Sequence, residues 1–327
     1  MAGAIGRRRR RVATAFGAIL LSALLGACGP RATGPGVRSA SVVLDFTPNA
    51  IHAGIYEAIA RGYDRRDGVA LHVIVPSAST DAIRLLLTGR VDFAILDIHD
   101  LAIARQDGQD IVGIMAIVQR PLASVIAAPR FASPRSLDGQ LVGVTGDPSD
   151  LAVLRSVVAG AGGRPQTVRT ITIGFDAVAD LLAGRVAAAT AFWNDEGVTL
   201  AHERPGFHVF EVQDYGAPAY PELVLCATAA ELERSPGLAR GVVHALVRGY
   251  RAVIADPRSG ERALESLVSG LEPTLVAEQL QAELPAFEPV GSLNLATLRA
   301  WARWEVRFGI VDRLPNVQRM FNVHFLP

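Results

Sequence analysis

Four side chains in the first third of the chain are of types that do acid–base or metal chemistry: Asp45, His52, Asp97 and His99. A carboxylate and an imidazole brought together by a fold serve as general base and acid, or as ligands of a divalent cation. The spacing supports neither use, because the sequence has no His-Glu-x-x-His, no Gly-x-Ser-x-Gly and no Cys-x-x-Cys. It also has no lysine, which excludes a Walker A lysine, a Schiff-base lysine and a Ser-Lys dyad. Recognition of a bound molecule is the better reading, and no catalytic residue, cofactor or metal is expected.

The recognition chemistry is of a kind that suits a flat, nitrogen-bearing ring. In Phe192-Trp193-Asn194-Asp195-Glu196 an indole stands beside an amide and carboxylates. The indole would stack on a ring face, worth about 0.5 to 1.5 kcal/mol beyond area burial, while the polar groups read donors and acceptors at its edge. Trp193 in the core is the alternative. In Leu44-Asp45-Phe46-Thr47-Pro48-Asn49, Pro48 stiffens a turn and Asn49 is suited to cap the helix that follows. His52 and Tyr56 then share one helix face, four residues apart. Asn49 either caps or binds, and His52 either packs or binds. Thr145 opens Thr145-Gly146-Asp147-Pro148-Ser149, either an ordinary turn or a helix N-terminus whose N–H groups take up a carbonyl or anion. Tyr215 and Tyr220 either close over a ligand or line a hinge. The candidate ligand-binding set is Asp45, Phe46, Asn49, His52, Tyr56, Asp97, His99, Thr145, Trp193, Asn194, Glu196, Tyr215 and Tyr220.

These residues need elements to hold them. β-Branched apolar runs at 42–44, 71–75, 93–96, 111–118, 141–144, 168–173 and 187–192 alternate with helical patterns at 50–61, 82–87, 151–159 and 177–183. That alternation predicts an α/β fold with mostly parallel sheets covered by helices, in which ligands bind beyond the carboxyl ends of the strands. Asp81-Ala82, Leu86-Leu87, Gly89-Arg90-Val91 and Ala94 recur as Asp176-Ala177, Leu181-Leu182, Gly184-Arg185-Val186 and Ala189. The repeat predicts two lobes of like construction with a ligand cleft between them. Residues 41–127 and 225–327 are assigned to a discontinuous lobe 1 and 128–224 to lobe 2, with crossings near Ala127-Ala128 and near 224–228. Long helical patterns at 236–255, 259–268, 274–284 and 293–308 return to lobe 1.

The N-terminus reads as an export signal. Arg7 to Arg11 precede an apolar run at 12–25, too short for a bilayer span of about 20 residues, that ends in Leu25-Gly26-Ala27-Cys28. Residues 1–27 are expected to be removed and Cys28 lipidated, with 28–40 a Gly/Pro-rich tether on the outer face of the cell membrane. Without the five leader arginines, the 32 basic residues become 27 against 32 acidic ones, so nucleic acid is not expected as a partner. Cys226 is then the remaining thiol, read as a buried small hydrophobe.

Asp45 through Tyr56, as Asp-aromatic-x-Pro-Asn-x-x-His-x-Gly-x-Tyr, resembles the opening motif of the binding proteins for thiamine pyrimidine precursors that serve ABC importers. Gly62-Tyr63, Val75-Pro76, Gly89-x-Val91-Asp92-Phe93, Gly139-x-x-Val142-Gly143, Asp256-Pro257 and Phe321-Asn322-x-x-Phe325-Leu326-Pro327 extend the resemblance over nearly the whole exported chain. The resemblance implies a type II periplasmic-binding-protein fold, hinge closure on the ligand, and a monomer that hands its ligand to a permease driven by an ATPase. Two departures bear on the ligand. Phe46 stands where the family usually has tryptophan, and Asp97-Ile98-His99-Asp100 where a Ser-Tyr pair is common. A relative in the same superfamily is similar to riboflavin-binding importers, so a flavin or another heteroaromatic nutrient is the alternative ligand. The family's eukaryotic relatives are pyrimidine synthases in which a histidine matched by His52 is consumed and a cysteine cluster supports iron chemistry. With Cys226 alone in the matching region, a synthase role is not expected.

Overall fold

The computed structural model describes residues 36–327. The leader, Cys28 and the tether up to residue 35 lie outside the described residues. Arg38 to Ala40, assigned to the tether from sequence, pair with Val69 to Leu71 in the first sheet.

Ten strands form two sheets of five. The first contains β1 (Arg38–Val43), β2 (Val69–Ile74), β3 (Phe93–Asp97), β4 (Ile111–Ala116) and β10 (Leu223–Thr228) in the order β2-β1-β3-β10-β4. The second contains β5 (Ala123–Ala127), β6 (Leu141–Val144), β7 (Arg169–Thr172), β8 (Ala188–Phe192) and β9 (His208–Glu211) in the order β7-β6-β8-β5-β9. In each sheet four strands run one way. The fifth, β10 or β5, runs the other way because it arrives directly from the opposite half.

The repeat in the sequence marks equivalent units. Helix Asp81–Leu87 leads through Gly89 into β3, and helix Ala177–Leu182 through Gly184 into β8. Both glycines have the left-handed φ, 65° and 68°, that ends a helix cheaply only where no Cβ is present. The crossing is earlier than expected. Ala123–Ala127, assigned to lobe 1 from sequence, pairs with β8 and β9 and belongs to the second half, so the first crossing is at 117–122. The strand is buried along its whole length, so its composition carries no alternation that would indicate a sheet.

The C-terminal helices Pro236–Ala255, Pro257–Leu267, Pro273–Glu283 and Leu295–Arg307 follow the expected pattern closely. Helix Pro236–Ala255 crosses Ala53–Ala60 at a glycine contact, where a Cβ on Gly249 would sit 1.9 Å from the Gly54 carbonyl oxygen. Tyr250 packs its ring over Gly54 and donates from its hydroxyl to the Ile51 carbonyl at 2.8 Å. The glycine of the opening motif is therefore a packing requirement, and the packing fixes the turn that carries Asp45.

Candidate functional site

Between the sheets, at the strand ends, lies a cavity of about 490 Å³. This size is within the usual range for small-molecule sites. Asp45 and Phe46 enter it from the loop after β1, Asp97 from the end of β3, Thr145 from the loop after β6, and Glu196 from the turn after β8. These five members of the expected set come together.

Asp45 is held by His52. The Asn49 backbone N–H donates to His52 Nδ1 at 3.2 Å, which leaves the hydrogen on Nε2, and that nitrogen donates to Asp45 Oδ1 at 3.0 Å. His52 is fully buried and positions the carboxylate rather than lining the cavity. Asn49 caps the 3-10 turn Ala50–His52, accepting from the Ile51 N–H at 3.0 Å, and its amide donates to Asp195 of the opposite half at 2.8 Å. It thus ties the halves together outside the cavity.

The loop at 145–150 is organised by one carboxylate. Asp150 accepts from the Gly146 and Asp147 N–H groups at 2.7 and 3.0 Å, from Thr145 Oγ1 at 2.9 Å, and from Thr190 Oγ1 at 2.9 Å. The loop reaches the other half at two points. The Ser149 N–H donates to Asp100 Oδ1 at 3.1 Å, and Gly146 faces Ser79, whose Oγ lies 3.8 Å from where a Cβ on the glycine would be. A third contact is aromatic, with Phe46 meeting Phe175 edge-on at a centroid separation of 4.4 Å.

Several expected residues are elsewhere, for one recurrent reason. At the end of β3, Asp97 accepts from the His99 N–H at 2.7 Å and starts helix Ile98–Gln106 at once. Helical periodicity then points Asp97 and Asp100 at the cavity and turns His99 into the core. There His99 Nδ1 lies 2.5 Å from Glu305 Oε1 and Nε2 lies 3.0 Å from the Tyr220 hydroxyl, among the rings of Trp301 and Trp304. Tyr220 is fully buried in this cluster and does not line the cavity. After β8 the chain also coils immediately. Trp193 turns to the crossing, donating to the Pro121 carbonyl at 2.9 Å with the Arg120 guanidinium over its ring, and it does not face the cavity. Asn194 donates to Glu283 at 2.7 Å, again between the halves and outside the cavity. Tyr56 lies in a small apolar cluster with Leu264 and Val276, and Tyr215 packs against Phe210.

Sequence reasoning missed Ser79, Arg84, Asp100, Ser124, Asp147, Asp150, Phe175, Thr190 and Phe192, all of which line the cavity. Asp100 and Asp150 had a usable signal, as acids in the first turn of helices that leave strand ends. Ser124 and Thr190 had none, being single polar positions in apolar strands.

The electrostatics are one-sided. Six carboxyl groups line the cavity, those of Asp45, Asp97, Asp100, Asp147, Asp150 and Glu196, against one guanidinium, Arg84. Arg84 is paired with Asp81 and largely exposed. Burial and the Asp195 charge push Glu196 up to about 8. Burial and the Asp150 charge push Asp147 up to about 6. Burial lifts Asp97 well above the usual carboxylate range despite the His99 charge, and burial with the Asp147 charge does the same to Asp100. Ionised, such groups favour a ligand that offers N–H donors or positive charge, and protonated, each accepts at its carbonyl oxygen and has an O–H to donate to a ring nitrogen or carbonyl. Phe46, Phe175 and Phe192 supply flat apolar surface.

A family model described as NMT1/THI5 like matches residues 49–259. The formylaminopyrimidine-binding protein of Halalkalibacterium halodurans is 31% identical over 265 residues, 80% of this chain and 77% of its own. Riboflavin-binding protein RibY of Chloroflexus aurantiacus is 24% identical over 310 residues, 90% of this chain and 87% of its own. Among solved structures, the alkanesulfonate-binding protein SsuA from Xanthomonas axonopodis pv. citri bound to MOPS superposes with a TM-score of 0.71 at 14% identity, over 89% of this chain and 100% of that one. At that identity the likeness establishes a shared periplasmic-binding fold.

Proposed function

This chain belongs to the NMT1/THI5-like family, and from that premise we propose that it is the substrate-binding component of an ABC importer for a thiamine pyrimidine precursor. The ligand is held between the two halves, and closure around it creates the surface that a membrane permease with its ATPase recognises. Cys28 and the leader at 1–27 support lipid anchoring outside the cytoplasm, which would keep the protein close to that permease.

The observation that carries this reading is the lining of the cavity. Three phenylalanines offer a face for a pyrimidine ring, and six carboxyl groups offer acceptors for its amino and amide hydrogens. With its one guanidinium, Arg84, paired with Asp81, the same lining offers no free cation to an anionic ligand such as a sulfonate or a phosphate ester. Cys226, the free cysteine of the described residues, is buried in a strand and supports no iron cluster.

Calorimetric titration of the purified protein with formylaminopyrimidine, hydroxymethylpyrimidine, riboflavin and thiamine tests the assignment. A pyrimidine precursor is expected to bind at least tenfold tighter than riboflavin. Preference for riboflavin would move the ligand assignment to the flavin, and binding of none would remove it.

A further inference from the structure

Behind the cavity wall, the cluster around His99 has a composition that its own hydrogen bonds leave unfinished. Asp97 at the end of β3, His99 in the first turn of the next helix and Glu222 just before β10 each bring one ligand atom to within 4.8 Å of the others. His99 and Glu222 are fully buried. Glu222 Oε2 is taken by the Leu122 and Ala123 N–H groups at 2.5 and 2.8 Å, while Oε1 has no hydrogen-bond partner and lies 3.5 Å from His99 Nε2. Glu305 Oε2 in the same cluster is also unpartnered. Three carboxyl groups thus surround one imidazole with no arginine among them.

We infer that Asp97, His99 and Glu222 form a binding site for a divalent transition-metal cation, zinc in the first instance, at the floor of the cavity. The geometry suits the ion. Tetrahedral zinc with ligands at about 2.0 to 2.2 Å holds them roughly 3.3 to 3.6 Å apart, the spacing already present between His99 Nε2 and Glu222 Oε1. An Asp97 carboxylate oxygen, within 4.8 Å of both, is the third ligand.

The outer shell suits it as well. Glu305 pairs with His99 Nδ1 at 2.5 Å, so Nε2 is the nitrogen that turns to the ion once it gives up the Tyr220 hydroxyl at 3.0 Å, a carboxylate–histidine–metal arrangement, and two backbone N–H groups fix the Glu222 carboxylate. Asp97 lines the cavity, so the fourth position opens toward a bound ligand, whose ring nitrogen or carbonyl oxygen can complete the coordination.

The test needs no organic ligand, so its outcome is independent of the import assignment. Protein stripped with a chelator is dialysed against Zn²⁺ or Co²⁺, bound metal is counted by elemental analysis, and cobalt geometry is read from visible absorption. One metal per chain with a tetrahedral cobalt spectrum is expected. Asp97→Asn and Glu222→Gln should each weaken zinc binding at least tenfold, and circular dichroism should show both folded, since Gln keeps an oxygen for the two N–H donors. Wild-type protein that takes up no metal, or uptake unchanged in both variants, overturns the site and assigns the cluster to a proton shared between His99 and its carboxylates.

Discussion

The contact between Phe46 and Phe175 joins loops of opposite halves, so under the proposed hinge closure it belongs to the closed form. Replacing either ring with alanine removes it, and the structure gives the size of the effect. An edge-on aromatic pair contributes about 0.5 to 1.5 kcal/mol beyond the area it buries, which corresponds to roughly 2- to 13-fold in a closing equilibrium. Each single variant also loses its own contact with the ligand, so single affinities do not isolate the pair. A double-mutant cycle does. Calorimetric affinities for formylaminopyrimidine in wild type, Phe46→Ala, Phe175→Ala and the double variant should show a coupling of about 0.5 to 1.5 kcal/mol, the double variant losing less than the sum. Free energies that add to within about 0.3 kcal/mol would mean that the rings do not meet in the liganded state, and would refute closure across this pair.

Gly249→Ala should lower stability by about 1 to 3 kcal/mol, read as a fall of a few degrees in Tm, because the new methyl group meets the Gly54 carbonyl at 1.9 Å. Trp193→Ala should reduce Tm but change ligand affinity less than Phe46→Ala does, since the indole packs at the crossing and not in the cavity. Glu196 is held at about 8 in the folded protein against 4.5 for a free side chain, so the folded form keeps a proton that the unfolded form has lost between those values. Stability therefore falls as pH rises from about 4.5 to about 8, and the drop in denaturation midpoint between pH 5 and pH 8 should be smaller in Glu196→Gln.

Much of the fold was legible because its signals are local. Alternating β-branched runs and helical periods located the strands at 93–97 and 188–192, and the paired glycines Gly89 and Gly184 revealed the internal repeat. Asp45, Phe46 and Thr145 followed from the rule that loops after strands face the cleft. His99 and Trp193 failed the same rule. Helices start directly at those strand ends, and one or two residues of helical twist carry a side chain from the cleft into the core or the crossing. Sequence shows that these residues are next to a strand but not the rotation at which they leave it. Phe175 and Asp100 meet the opposite half only through tertiary packing, which no local pattern encodes. The crossing at 117–122 was misplaced because a strand buried on both faces belongs equally well to either sheet.

A crystal structure of the protein with formylaminopyrimidine tests the central claim most directly. The ring should lie in the cavity against Phe46 and Phe175, with its N–H groups directed at Asp147 or Glu196, and both halves should contact it. Density for the pyrimidine outside that cavity, for example in the pocket of about 400 Å³ beside Phe321 and His324, would contradict the account.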